Sequence, residues 1–166
     1  MPEELADHFV QRLDAVEQRL AGLAQTRSDA VAGHLTEPDA PSGERWEWGQ
    51  VWAHLAEFVP YWLEQARIVV SGYTGEPVPF GRTKVDAERV AAIERDRATP
   101  VDELARRVAA HIGEARLFLR ELPAGAWAVR GVHSTLGVMS LEKLLDEFVA
   151  GHLEQHAAQL EGLARG

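Results

Sequence analysis

Apolar residues recur along most of this chain at steps of three and four, and alternation at every second residue is hard to find. Leu5, Phe9, Leu13, Val16, Leu20 and Leu23 make one such stripe and predict a helix over residues 3–25, with Glu3 and Glu4 near its positive end. A stretch rich in Pro, Gly, Asp and Ser comes next, residues 28–45, read as a loop that opens with an extra helical turn. The second stripe, Val51, Leu55, Phe58, Trp62, Ala66 and Val69, predicts a helix over 49–70, in which Pro60 predicts a kink or local break. Residues 86–97 also read as helical. Thr99 is then a good cap, Pro100 fits the first helical position and Glu103 can complete a capping box. A third long helix to about Glu121 carries Val101, Leu104, Val108, Ile112, Ala115 and Leu119. Ser140 is a candidate cap for a fourth that reaches about Ala164, its stripe beginning Leu141, Leu145, Phe148, Val149.

The connection SGYTGEPVPFGRT, residues 71–83, holds three glycines and two prolines, and its thirteen residues can extend ~40 Å. That is enough to run back along a bundle, so the second and third helices can lie parallel instead of forming a tight hairpin. Four amphipathic helices, three turn-rich connections and no strands point to an all-α fold. The simplest packing is a four-helix bundle, expected as one domain over residues 1–166.

Charge and composition narrow the function classes. The chain has 17 basic and 26 acidic residues, a formal charge of −9 that repels a phosphate backbone, so nucleic acid is not the expected partner. With no cysteine there are no disulfides, no thiolate zinc clusters and no cysteine nucleophile of its own. The acidic start MPEELADHF is unlike a secretory signal, and no apolar run approaches the ~20 residues that cross a bilayer. A cytoplasmic protein with no membrane partner is the expectation.

The fourth stripe continues at positions 152, 156, 160 and 163, where leucine returns only at the last two. His152 and His156 thus occupy the core line four residues apart, with rings side by side on one helix face. That spacing lets two imidazole nitrogens converge on one cation at ~2.0–2.1 Å. A single histidine on a core face is more often a hydrogen-bonded core residue than a ligand. Two adjacent ones are harder to satisfy without a cation, because each neutral ring brings a donor and an acceptor into an apolar layer. His54 lies on the seam of the second helix between Val51 and Phe58 and is the candidate third ligand. His111 is its rival but has no partner on its own helix; His8 lies off its stripe, and His34 and His133 fall in loops. The run HLEQH superficially resembles the HExxH of metalloproteases, but Glu154 sits two residues after His152, about 200° around the helix, and faces away.

With these residues in place the chain resembles the DinB-like superfamily, which includes bacillithiol S-transferases and mycothiol-dependent maleylpyruvate isomerases. The resemblance covers nearly the whole chain. It rests on Trp46 eight residues before His54 in WEWGQVWAHL, the L-P-x-x-x-W run ending at Trp127, GVMSL opening the last helix at Gly137, and GHLEQH with His152 and His156. It implies an up-down-down-up four-helix bundle, with the long connection between second and third helices as its crossover. It also implies a divalent metal, zinc or nickel, on His54, His152 and His156. The isomerase branch often has a carboxylate where this chain has His152, which points to the transferase-like branch or a relative of unknown activity.

Three protein ligands leave a coordination position open, the arrangement of catalytic rather than structural zinc. A cation beside sulfur favours thiolate over thiol, so the expected function is a metal-dependent S-transferase. It joins a low-molecular-weight thiol (mycothiol, bacillithiol or glutathione) to a small electrophile, a chemistry suited to detoxification in a stress response. The rival readings are a metal-binding or sensor protein without catalysis, a thiol-dependent isomerase or metal-dependent hydrolase on the same site, and a helical interaction domain with core histidines. Glu57 and Gln50 near His54, and Gln155 and Gln159 near the pair, are candidates to accept from a ligand's second ring nitrogen, or are simply solvated helix residues. Trp46, Trp48, Trp52 and Trp127 can wall a pocket or pack the core. A homodimer is compatible with the sequence, which identifies no face for it.

Overall fold

A computed structural model describes all of residues 1–166. Four long helical stretches carry the fold: α1 (Pro2–Leu23), α3 (Trp48–Gly72), α5 (Val101–Glu121), and a last one built from α6 (Leu141–Leu145), a π turn (Asp146–Ala150) and α7 (Gly151–Arg165). Two short helices, α2 (Ser28–Val31) and α4 (Ala87–Asp96), lie in the connections. Three short strands complete it: β1 (Val78–Phe80), β2 (Arg130–His133) and β3 (Gly137–Ser140).

Specific contacts fix the helix directions. Arg12 bonds Glu154 and Arg19 bonds Glu161, each pair separated by 142 residues, so α1 and α7 run parallel. Trp52 shares a cavity wall with Ala105 and Val108, and Leu63 shares another with Ala115 and Leu119, so α3 and α5 are parallel as well. On α1, Phe9 and Leu13 meet Leu119, whereas Leu20 meets Val108, which makes α1 and α5 antiparallel. The topology is up-down-down-up, and residues 73–86 with α4 form the crossover that returns the chain to the bundle end where α3 began.

The stripes read from the sequence are the ones buried. Phe9, Leu13, Val16 and Leu20 of α1, all six of the α3 stripe, and Leu104, Val108, Ile112, Ala115 and Leu119 of α5 belong to one cluster of 36 buried residues. Pro60 does not interrupt α3, which is helical from Trp48 to Gly72. Helix α3 is buried on most of its faces, and this packing outweighs the loss of one internal hydrogen bond.

Three local expectations are corrected. Thr99 does not cap α5: the helix starts one residue later, with the Pro100 carbonyl accepting from Glu103 and Leu104, while Thr99 N–H closes a turn onto Asp96 O at 2.9 Å and Glu103 pairs with Arg107. The connections are not strand-free. β1, from the crossover, pairs parallel with β2, and β2 pairs antiparallel with β3 through the turn before α6. These strands are three or four residues long, too short for a visible alternation, and they form because two distant loops lie side by side. Ser140 does cap the last helix, its Oγ accepting from Lys143 N–H at 3.1 Å, but that helix contains a π turn. A π turn takes one extra residue and rotates the rest of the helix by about 100°. Gly151 makes this possible: a Cβ there would lie 2.3 Å from the Asp146 carbonyl oxygen. The rotation lets α7 bury Leu153, Ala157 and Leu160 while still presenting His152 and His156.

Candidate metal centre

The first two turns of α3 and of α7 bring three imidazoles to one point. Nε2 of His152 lies 3.1 Å from Nε2 of His54 and 3.1 Å from Nε2 of His156. One ligand atom from each ring falls within 4.8 Å of the others. Phe58 supports them from below, its ring centroid 4.4 Å from His152 and 4.9 Å from His54. Trp46 closes the other side, edge-on to His54 at 5.1 Å and stacked near His156 at 6.2 Å.

Ring orientation is set from the far nitrogens. His54 Nδ1 lies 2.7 Å from Glu57 Oε1, and His156 Nδ1 lies 2.6 Å from Gln159 Oε1. Both acceptors sit three residues after their histidine, the spacing at which helix side chains touch. With protons on Nδ1, both rings point Nε2 lone pairs inward at His152. A single proton on His152 Nε2 could satisfy only one of its two 3.1 Å contacts, so at least one pair of nitrogens faces lone pair to lone pair. A cation at the centre removes that conflict. Ligands of a tetrahedral zinc with ~2.05 Å bonds are separated by about 3.3 Å, close to the spacing here. The donor set therefore fits a divalent metal, with rings held in the ligating tautomer by a carboxylate and an amide.

Electrostatics favour neutral rings. Burial pushes the pKa of His54 and His152 well below the ordinary value, with further lowering from the neighbouring histidines and from Arg89 and Arg82. Burial likewise takes His156 down to about 4, opposed by its bond to Gln159. Neutral imidazole is the form that binds metal.

Behind His54 stands a buried ion pair. Arg82 Nη2 donates to Glu57 Oε2, and the two side chains are 9% and 8% exposed. Burial raises the Glu57 pKa while the Arg82 bond and charge oppose the rise. Arg82 is itself clamped: its guanidinium lies 3.8 Å from the Tyr61 ring centroid, and its carbonyl sits 3.0 Å from His133 Nε2. His133 Nδ1 accepts from Thr135 and Leu136 N–H, leaving the Nε2 proton for Arg82. Gly81 N–H donates to Gln65 Oε1 at 2.7 Å, and at φ +90° a Cβ on Gly81 would lie 2.5 Å from the His133 ring, so only glycine fits. The small sheet thus holds the loop that delivers Arg82 to Glu57 and, through it, fixes His54.

Of the other residues singled out in the sequence, Glu57 and Gln159 do bond the histidines. Gln50 instead accepts from Glu47 N–H as part of the α3 capping box, and Gln155 is exposed. Glu154 faces α1, bonded to Arg12 at 2.8 Å. His111 stays on α5 beside Glu114, His8 is exposed, and His34 bonds the Leu163 carbonyl. Trp46 alone of the four tryptophans borders the histidines; Trp48 and Trp52 are buried against each other, and Trp127 stacks on Phe9. Sequence reasoning missed Arg82, Arg89 and the structural part played by His133. Arg82 and Arg89 lie in the crossover region, and no periodicity ties such residues to a site on two helices.

A helical bundle with three inward imidazoles at the junction of two helices defines the class. The chain belongs to the DinB superfamily, whose profile matches residues 9–160. It is similar in fold to YfiT from Bacillus subtilis, described as a probable metal-dependent hydrolase with an unusual four-helix bundle topology (TM-score 0.73, 20% identity, 96% of this chain and 86% of that one). It is also similar to a mycothiol-dependent maleylpyruvate isomerase (TM-score 0.70, 12% identity, 93% of this chain), of which it spans 60%. A third similar structure is the colibactin self-resistance protein ClbS in complex with double-stranded DNA (TM-score 0.68, 10% identity, 97% of this chain and 96% of that one). No curated protein matches the chain in sequence. No helix is long and apolar enough to cross a membrane.

Proposed function

We propose that His54, His152 and His156 hold a divalent cation, zinc or nickel, and that the protein uses it to join a low-molecular-weight thiol to a small electrophile. The reading rests on one observation: Nε2 atoms of three neutral imidazoles crowd together, with both contacts of His152 at 3.1 Å and the outward nitrogens of the other two rings already committed to Glu57 and Gln159. When bound, the cation supplies Lewis acidity that favours thiolate over thiol at the position the three rings leave open.

This chain's own residues do the rest. Glu57, ionised by Arg82, holds the His54 proton on Nδ1 and keeps Nε2 free. Gln159 does the same for His156. Phe58 and Trp46 exclude water on two sides, which strengthens every electrostatic interaction between them. His152 is the more exposed of the three and marks the side from which a small molecule reaches the centre. With no cysteine in the chain, the sulfur arrives on the cosubstrate.

A hydrolase on the same three residues is the second reading, favoured by the likeness to YfiT. The isomerase comparison supports a thiol cosubstrate such as mycothiol, with bacillithiol and glutathione as chemical equivalents. The charge of −9 argues against a DNA role like that of the ClbS complex. The chain is expected to act as one domain in the cytoplasm.

The test is metal analysis of protein purified without added ions, alongside His54→Ala and His156→Ala. The expected result is one equivalent of metal in the wild type and little in the variants, followed by conjugation of one thiol from a panel to a generic electrophile. Equal metal content in all three proteins refutes the site. Metal without thiol turnover, but with ester or amide cleavage, selects the hydrolase.

A further inference from the structure

Three cations cluster on the loop and helix beside the histidines: Arg82, Lys84 and Arg89. Two are neutralised within the fold, Arg82 by Glu57 and Lys84 by Asp39 at 2.9 Å. Arg89 is not. Its Nη1 donates to the Lys84 carbonyl at 2.8 Å, and it has no carboxylate partner. It is half-buried, with its guanidinium 5.5 Å from the ring centroid of Trp46, the same indole that borders His54 and His156. Burial lowers its pKa, and its charge depresses that of all three histidines, which places it within electrostatic reach of their shared centre.

A chain with nine excess negative charges thus keeps an unpaired guanidinium beside its candidate reaction centre. The rings are neutral and Glu57 is already spent on Arg82, so no bonded carboxylate balances Arg89 or a divalent cation added near it. Half-burying an arginine without a partner is costly unless a ligand brings the anion. Its Nε and Nη2 edge forms no bond within the protein, and a planar fork of that kind suits a carboxylate bidentately.

We infer that Arg89, resting on Trp46, is the anion-recognition residue of this site and that the small molecule reacting there carries a carboxylate. The inference rests on the proposed function for the identity of the reaction centre, but not for the anion site itself. Anion and metal then bind with positive coupling, since each relieves the charge imbalance the other leaves.

Two arms test it. In the first, cobalt-loaded protein at low salt is titrated with 3-mercaptopropionate and with 2-mercaptoethanol, reading the sulfur-to-cobalt charge-transfer absorption. The carboxylate thiol is expected to bind at least about tenfold tighter, a ratio that falls to within about twofold in Arg89→Gln and is partly kept in Arg89→Lys; unfolding midpoints confirm that the variants fold. Equal affinities in the wild type, or a preference that survives Arg89→Gln, overturn the inference. In the second, metal-free protein is titrated with succinate while the Trp46 indole resonance, assigned with Trp46→Phe, is followed by NMR. A saturable shift lost in Arg89→Gln supports the anion site, and no shift overturns it. Failure to take up cobalt sinks the proposed function alone, and the succinate arm then decides this inference.

Discussion

Replacing Glu57 with glutamine separates the two jobs that this carboxylate does. It is 8% exposed, accepts from His54 Nδ1 at 2.7 Å and pairs with the similarly buried Arg82. The new amide would keep one oxygen for His54 but turn its NH2 toward the Arg82 guanidinium, donor against donor. Breaking a buried pair by removing one partner typically costs about 3–5 kcal/mol, because the remaining charge stays buried. At the histidine end, loss of a carboxylate behind a ligand lowers metal affinity about 10- to 100-fold, or ~1.4–2.7 kcal/mol. The assay has two parts: denaturant unfolding of the metal-free protein, and metal affinity by competition with a chromophoric chelator. Glu57→Gln is expected to lose in both. Glu57→Gln with Arg82→Met removes the orphaned charge as well, so it should regain most of the stability and none of the metal affinity. Wild-type metal affinity in a folded Glu57→Gln protein would refute the idea that the charge of this carboxylate, beyond the acceptor oxygen an amide also offers, strengthens His54 as a ligand.

The same geometry fixes other outcomes. Gly151→Ala puts a Cβ against the Asp146 carbonyl, so the π turn must rearrange; about 1–3 kcal/mol of stability should go despite the better helix former, and metal binding should weaken as His152 moves. Gly162→Ala on the same helix meets nothing within 4 Å and should stabilise by ~0.5–1 kcal/mol, a control read in the same unfolding experiment. Because burial holds His156 at about 4 while the unfolded chain titrates near 6.5, the unfolded state takes up the proton first. Metal-free protein should therefore lose stability as pH falls from about 6.5 to 4, by up to about 3 kcal/mol from this group, and be flat in this respect above; a stability profile unchanged across that range contradicts the neutral buried ring.

The helices were legible because each buries a continuous stripe on its neighbours, and a 3.6-residue period survives any detail of packing. Val51 to Val69 and Leu104 to Leu119 are buried as the period requires. The pair His152 and His156 stood out for the same reason, as polar residues on an apolar line. His54 could be nominated from its place on a second seam, but nothing in its own helix says which ring it meets. The short strands and Thr99 were misread because three-residue ladders and cap positions depend on where distant loops settle, and the π turn is invisible to a pattern that assumes one helix phase throughout.

Residue order alone thus determined an acidic, cysteine-free helical bundle with histidines on its seams, since periodicity and composition are local properties. Folding decided which groups those histidines face: it brought α3 and α7 together, rotated α7 through the π turn, and laid β1 against β2 so that Arg82 reaches Glu57 and Arg89 rests on Trp46. Along the chain, Arg82 and Glu57 are 25 positions apart, His133 and Arg82 are 51 apart, and His54 and His152 are 98 apart. A site's charge balance is the sum of such distant neighbours. No stretch read by itself contains that sum, because side chains acquire their electrostatic environment only when the backbone has closed around them.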